Sequence, residues 1–167
     1  MNEQTAYLGL GSNLGDRQAT LRQARLALDA TAEIKVIAAS RLYQTVPVGG
    51  PADQPDYLNG ALEIATTLEP LELLQRCQTI EATFGRQRSV RWGARTLDID
   101  LLLFEQRIIA SDTLQLPHPR LSERGFVLQP LCDLAPELVH PQQHQTLAAL
   151  LENISPLQGV HHLDELW

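Results

Sequence analysis

Cysteine is scarce: the 167-residue chain holds two, Cys77 and Cys132. Cys77 falls among the apolar positions of an expected helix, and Cys132 follows Leu131. Both read as buried thiols, which leaves no disulfide framework and no metal-binding cysteine pair. Long apolar runs are missing as well. No stretch has the length and apolarity to span a bilayer, and Met1-Asn2-Glu3-Gln4 leads to Gly9 without the apolar core of a signal peptide. A reducing, cytoplasmic location is the expectation. Positive charge is in deficit, with 13 lysines and arginines against 20 aspartates and glutamates and a net charge of −7. That balance argues against a surface built to follow a DNA or RNA backbone. Internal repeats and low-complexity segments are absent.

What is present is ordinary globular material, 44% hydrophobic and 20% charged, enough for one core and one domain spanning 1–167. Thr5 to Leu10 reads as a first strand, ended by Gly9, Gly11 and Asn13. Asp16 to Ala30 carries Leu21, Ala24 and Leu28 at helical spacing, with Asn13 or Asp16 as its cap. Ile34 to Ser40 predicts a second strand, and a loop rich in proline and glycine runs from Thr45 to Asp56. From Leu58 to Leu68 the alternation of Leu58, Leu62, Ile64 and Leu68 against Asn59, Glu63 and Thr67 predicts a strand. Pro70 then opens a helix with Leu74, Cys77, Ile80, Glu81 and Phe84 at helical spacing, stopped by Gly85. Leu97 to Phe104 predicts a strand that is apolar except for Asp98 and Asp100, with Arg107 to Ile109 as a hairpin partner. Gln115 to Arg120 reads as a turn, Phe126 to Asp133 and Leu147 to Ile154 as helices. This order predicts the α+β class, an antiparallel or mixed sheet with helices packed on its faces.

Alternate strand residues share a face, so Asp98 and Asp100 project together, their Cα atoms roughly 6.5–7 Å apart. One reading is a salt-bridge cluster neutralised by Arg95. The favoured reading is a divalent cation. Hard oxygens with no cysteine nearby point to Mg²⁺ rather than Zn²⁺, and the separation suits two ions. Upstream, Arg86, Arg88, Arg91 and Arg95 crowd around Trp92 in a segment loosened by Gly85, Ser89 and Gly93. Guanidinium forks grip phosphate oxygens, and an arginine loop that ends on the metal strand suits closing over a nucleotide.

Other features are more ambiguous. The run Gly9-Leu10-Gly11-Ser12-Asn13-Leu14-Gly15 misses the dinucleotide fingerprint by one residue and lacks the lysine of a phosphate loop, so it reads as a structural turn. His118, between Pro117 and Pro119, is either a satisfied structural histidine or a donor to phosphate. Tyr57, Asn59 and Phe126 are either core or a slot for a flat heterocycle, whose edge needs paired donors and acceptors. His161 and His162 read as tail residues.

Five blocks appear in order: Gly9 to Gly15, Thr45-Val46-Pro47-Val48-Gly49, Gln54-Pro55-Asp56-Tyr57-Leu58-Asn59, Arg91-Trp92-Gly93-Ala94-Arg95-Thr96-Leu97-Asp98-Ile99-Asp100, and Pro117-His118-Pro119. Together they resemble the 6-hydroxymethyl-7,8-dihydropterin pyrophosphokinase family, from the first strand to about Glu137. The resemblance implies a ferredoxin-like α/β sandwich with a mostly antiparallel central sheet and helices on both faces. It implies diphosphate transfer from ATP to the pterin hydroxymethyl group, with AMP leaving and no protein nucleophile. Asp98 and Asp100 would hold two Mg²⁺ ions on the ATP phosphates, and Arg86 and Arg95 would stabilise the transferring group. Gln78, Glu81, Arg88, Arg91, Trp92, Leu101, His118 and Arg124 would contact ATP. Tyr57 and Phe126 would sandwich the pterin, with Asn59 and the backbone of Thr45, Val46 and Val48 reading its edge. The expected partners are these two small molecules, with no nucleic acid, no membrane and a monomeric enzyme. Thr113 and Gln115 depart from the family pattern, which places a basic and a hydroxyl residue there, so nucleotide affinity is expected to be weaker or supported elsewhere. A metal-dependent phosphoesterase or a non-catalytic ATP-binding module is the alternative on the same aspartates.

Overall fold

The computed structural model describes residues 2–13, 15–45, 56–84, 97–155, 160–163 and 167. The first strand, β1, runs Gln4–Ser12 and is longer than its apolar run predicts. Gly9 and Gly11 therefore lie inside the strand, and the structural turn read from this run is confined to its end, where Gly15 takes φ +65. Helix α1 follows over Arg17–Asp29, and Asp16 is its cap, with Oδ1 accepting from the Ala19 N–H at 3.1 Å. Its buried residues are Leu21, Ala24 and Leu28, the three that the periodicity selects.

Strand β2 spans Ile34–Ala39 and β3 Leu42–Thr45, the second of which the sequence reading missed. Strand β4 spans Tyr57–Thr66, so Leu68 lies beyond it. Helix α2, Pro70–Thr83, begins on its proline, and Glu69 N–H donates to Glu72 Oε1 at 3.1 Å across the first turn. Strand β5 is Asp98–Phe104. The short strands β6, Ile109–Ala110, and β7, Gln115–Leu116, pair with each other, so the segment after β5 is not its hairpin partner. Helices α3, Gly125–Leu134, and α4, Leu147–Asn153, follow. The last strand, β8, is Val160–Leu163. His161 and His162 are thus part of the sheet rather than tail residues.

The main sheet has six strands in the order β5-β1-β4-β3-β8, with β2 also on β4, and every pairing is antiparallel. Alternation along the strands divides two cores. Ala6, Leu8 and Leu10 of β1 join Leu62 and Ile64 of β4 against Leu21 and Leu28 of α1 and Leu73 and Cys77 of α2. On the opposite face Tyr7, Ala61 and Leu102 pack against Val127, Leu128 and Leu131 of α3 and Leu147 and Leu150 of α4. Helices thus cover both faces, as the α+β expectation required. A bulge between Tyr7 and Leu8 shifts the register with β5, so that Leu102 and Leu103 both serve the α3 side. Tyr43 OH ties β3 to α3, donating to Asp133 Oδ2 at 2.7 Å.

The connection from α3 to α4 turns around His140, which is buried. Its Nδ1 accepts from the N–H groups of Gln142 and Gln143 at 3.2 and 3.1 Å. Burial, with the charge of His144 adding, holds its pKa below the usual histidine value. A depressed histidine pKa means that the unfolded chain takes up the proton first as the medium is acidified. This stabilisation is therefore full above pH ~6.5 and lost as pH falls through the lower folded value. His118 shares the direction, so the difference between variants isolates the turn. In melts between pH 7.5 and 5, His140→Asn, which keeps an acceptor without a titrating ring, is expected to flatten the fall in Tm. A fall as steep as in the unaltered chain would refute the assignment.

Candidate active site

Asp98 and Asp100 occupy alternate positions of β5, facing the α3 side of the sheet. Asp98 is half-buried and Asp100 exposed. Register explains the space in front of them. Gly11 of β1 lies opposite Asp98 and Gly9 opposite Asp100. On its other side Gly11 pairs with Asn59 of β4. A row therefore runs Asp98–Gly11–Asn59 across three strands, placing the amide roughly 10 Å from the carboxylate at backbone level. The glycines make room for neighbouring side chains: Leu102 lies over Gly9, 3.2 Å from where a methyl would stand. A methyl on Gly11 would come within 2.6 Å of Asn59 Oδ1 and 3.5 Å of the Tyr57 ring. The run reads as a turn from sequence, although glycines two apart in a strand share one face and mark a close approach by neighbouring groups.

Asn59 is buried, and its Nδ2 donates to Thr45 Oγ1 at 2.6 Å. With its amide nitrogen held by Thr45, the Asn59 oxygen is directed over Gly11. Tyr57 is half-buried at the start of β4, beside the same glycine. Phe126, at the start of α3, is half-buried, and the Arg124 guanidinium lies over its ring at 5.5 Å from the centroid.

Beside the aspartates a cavity of about 200 Å³ has apolar walls from Leu74, Ile99, Leu101 and Leu114. Asp100 and His118 add polar lining, and so do Thr113 and Gln115, the two departures from the family pattern. Leu101 is itself buried, and Gln78 is exposed on α2. His118 N–H donates to the Leu102 carbonyl at 2.9 Å, and its Nδ1 accepts from Arg120 N–H at 3.2 Å. Burial holds its pKa below the ordinary value, Asp100 opposes that shift, and Arg124 and Arg120 reinforce it. With Nδ1 accepting, the ring proton of the neutral form sits on Nε2.

Glu81 has a part that sequence reasoning missed. Buried on α2, it accepts from the Ile99 N–H through Oε2 at 2.7 Å. It thereby clamps the backbone between the two aspartates on the outermost strand. Helical periodicity marked its inward face, but no sequence signal named its partner. Burial pushes the Cys77 thiol up to about 12, with Glu81 and Asp100 adding to the effect, and burial pushes Cys132 up to about 11. Both thiols are thereby held in the protonated form, although Cys132 is only half-buried.

Arg86, Arg88, Arg91, Trp92, Arg95, Val46 and Val48 lie outside the described residues. Among the described residues no three His, Cys, Asp or Glu side chains gather at metal-binding spacing. A carboxylate pair fits magnesium, which takes one or two carboxylates and completes its shell with water and phosphate. No helix among the described residues is long and apolar enough to cross a membrane.

Known proteins share both fold and sequence with this chain. It is 49% identical over 133 residues to the 2-amino-4-hydroxy-6-hydroxymethyldihydropteridine pyrophosphokinase of Bacillus subtilis, covering 80% of this chain and 79% of that protein. The protein of the same name from Pseudomonas aeruginosa is 42% identical over 160 residues, with 96% and 97% covered. Among solved structures, Plasmodium falciparum HPPK-DHPS with pteroate superposes with a TM-score of 0.73 at 16% identity, over 91% of this chain. The chain spans 42% of that larger protein, and the likeness supports the fold alone. A family model described as 7,8-dihydro-6-hydroxymethylpterin-pyrophosphokinase (HPPK) matches residues 7–136, and the chain belongs to that family.

Proposed function

We propose that this chain transfers the diphosphate of ATP to the hydroxymethyl oxygen of 6-hydroxymethyl-7,8-dihydropterin. The observation that carries the reading is the row across the sheet. The carboxylates stand on β5 on one side of Gly11, and a buried, oriented amide stands on the other. The new bond joins the hydroxymethyl oxygen to the β-phosphorus. The bond from that phosphorus to the oxygen bridging the α-phosphate breaks, AMP leaves with the bridging oxygen, and the hydroxyl proton passes to solvent.

Asp98 and Asp100 would hold Mg²⁺, two ions with ATP. When bound, magnesium neutralises charge on the phosphate oxygens and fixes their orientation. The apolar cavity wall with Leu101 takes the adenine base, and His118 Nε2–H and Arg124 are donors for phosphate oxygens. Gln78, Glu81, Arg88, Arg91 and Trp92 complete the nucleotide site, and Arg86 and Arg95 stabilise the charge on the transferring group. The pterin lies between Tyr57 and Phe126, its edge read by Asn59 and by the backbone at Thr45, Val46 and Val48. The chain acts as one cytoplasmic, monomeric catalytic domain.

AMP formation from ATP and Mg²⁺, followed with and without the pterin alcohol, tests the assignment. AMP that appears only with the pterin is the expected result. Phosphate release without it would instead make the chain a phosphoesterase, and nucleotide binding without turnover a binding module.

A further inference from the structure

Arg17 is the first residue of α1. A cation at that position opposes the helix dipole, so its placement calls for another partner. The partner is distant in sequence: Arg17 Nη1 donates to the carbonyl oxygen of Asp56, 39 residues on, at 2.6 Å. A charged donor makes this one of the stronger classes of hydrogen bond. Asp56 is also held from the other side, because its Oδ2 accepts from Gln44 Nε2 of β3 at 3.1 Å. The Asp56 carbonyl belongs to the same planar peptide as the Tyr57 nitrogen. Fixing that oxygen fixes the plane from which the Tyr57 side chain departs. The Tyr57 ring in turn stands over Gly11.

The glycine run of β1 thereby acquires a second use. β1 ends at Ser12, Gly15 takes the left-handed turn, Asp16 caps the helix, and Arg17 follows at the height of Asp56.

We propose that Arg17 is a positioning residue for the pterin, acting through the Asp56–Tyr57 peptide to hold the ring against which the pterin stacks. The proposal rests on Tyr57 being that stacking ring. Arg17 would then govern one substrate of two, since the carboxylates stand across β1 on β5 and the apolar cavity lies between β5, Leu74 of α2 and the segment from Thr113 to Pro119.

The test compares Arg17→Ala, Arg17→Lys and Tyr57→Ala by separate KM values for pterin and ATP, with thermal melts alongside. Arg17→Ala is expected to raise the pterin KM about tenfold while the ATP KM moves less than about twofold, the size of effect a small misplacement produces. Arg17→Lys, which keeps a charged donor, recovers most of the loss. Equal shifts in both KM values would overturn the proposal by making Arg17 a general structural residue. So would an unchanged pterin KM in Arg17→Ala when Tyr57→Ala raises it. If Tyr57→Ala leaves the pterin KM unchanged, the stacking reading of Tyr57 fails first and the role of Arg17 falls with it.

Discussion

Replacing Asp98 or Asp100 by asparagine is expected to lower AMP formation by at least about 10²–10³-fold, the scale on which losing one preorganised electrostatic contact acts. Asparagine keeps the shape of the side chain and removes its charge, so the loss falls on cation binding rather than packing. Raising Mg²⁺ should recover part of the rate if the carboxylates hold the ion, because weaker binding is offset by mass action. Asp100 is exposed, so Asp100→Asn should leave the melting temperature nearly unchanged. The competing salt-bridge reading makes the opposite forecast: a lower melting temperature, with turnover and its Mg²⁺ dependence retained. Measuring rate against Mg²⁺ concentration together with a melt for each variant separates the two.

The second large effect concerns stability. Trp167 is buried at 6% exposure, and its Nε1 donates to the Ser40 carbonyl at 2.8 Å. Its ring lies where Gly60 of β4 has no side chain, and a methyl there would stand 2.6 Å from the ring. Truncation to alanine leaves a cavity and an unsatisfied carbonyl, at a cost of about 3–5 kcal/mol for a buried tryptophan. For a chain of this length that lowers Tm by roughly 6–20 °C. A loss below about 1 kcal/mol in a denaturant titration would show that the ring contributes little to the fold. Gly60 sits between Asn59 and Ala61, so loosening also reaches the strand that orients the Asn59 amide. Trp167 lies beyond the residues 7–136 that match the family, so this support is supplied by a segment outside the matched region.

Long, strongly periodic segments were legible in the sequence. The inward residues of α1 and the alternation that set Asp98 and Asp100 on one face follow directly from spacing, because each depends only on local geometry. β3 was missed because four residues beside a loop rich in proline and glycine carry too short a pattern. β8 is hard to see in the sequence because two histidines hide its alternation, and its partner, β3, lies more than a hundred residues away. Within the site, single side chains were easier to find than their partners. Thr45 and Asn59 were both chosen, but their bond joins residues 14 apart across a loop, and nothing local announces it. Arg17 and Gln44 escaped notice for the same reason, since their importance lies in one residue, Asp56, that they reach from different elements. Glu81 reads from sequence as a helix residue beside the nucleotide, and nothing local announces that its carboxylate also accepts from a backbone N–H of β5.

That backbone bond bears on how the molecule behaves in a crowded solution. Among the described residues β5 is the last strand on its side of the sheet, and an outermost strand invites another chain to zip onto it. Here the Ile99 N–H is occupied by Glu81 and the Leu102 carbonyl by the His118 N–H. Two of the backbone groups that such a neighbour would need are therefore already taken. A neighbouring molecule approaching the carboxylate strand from the side would find those two rungs of the ladder filled.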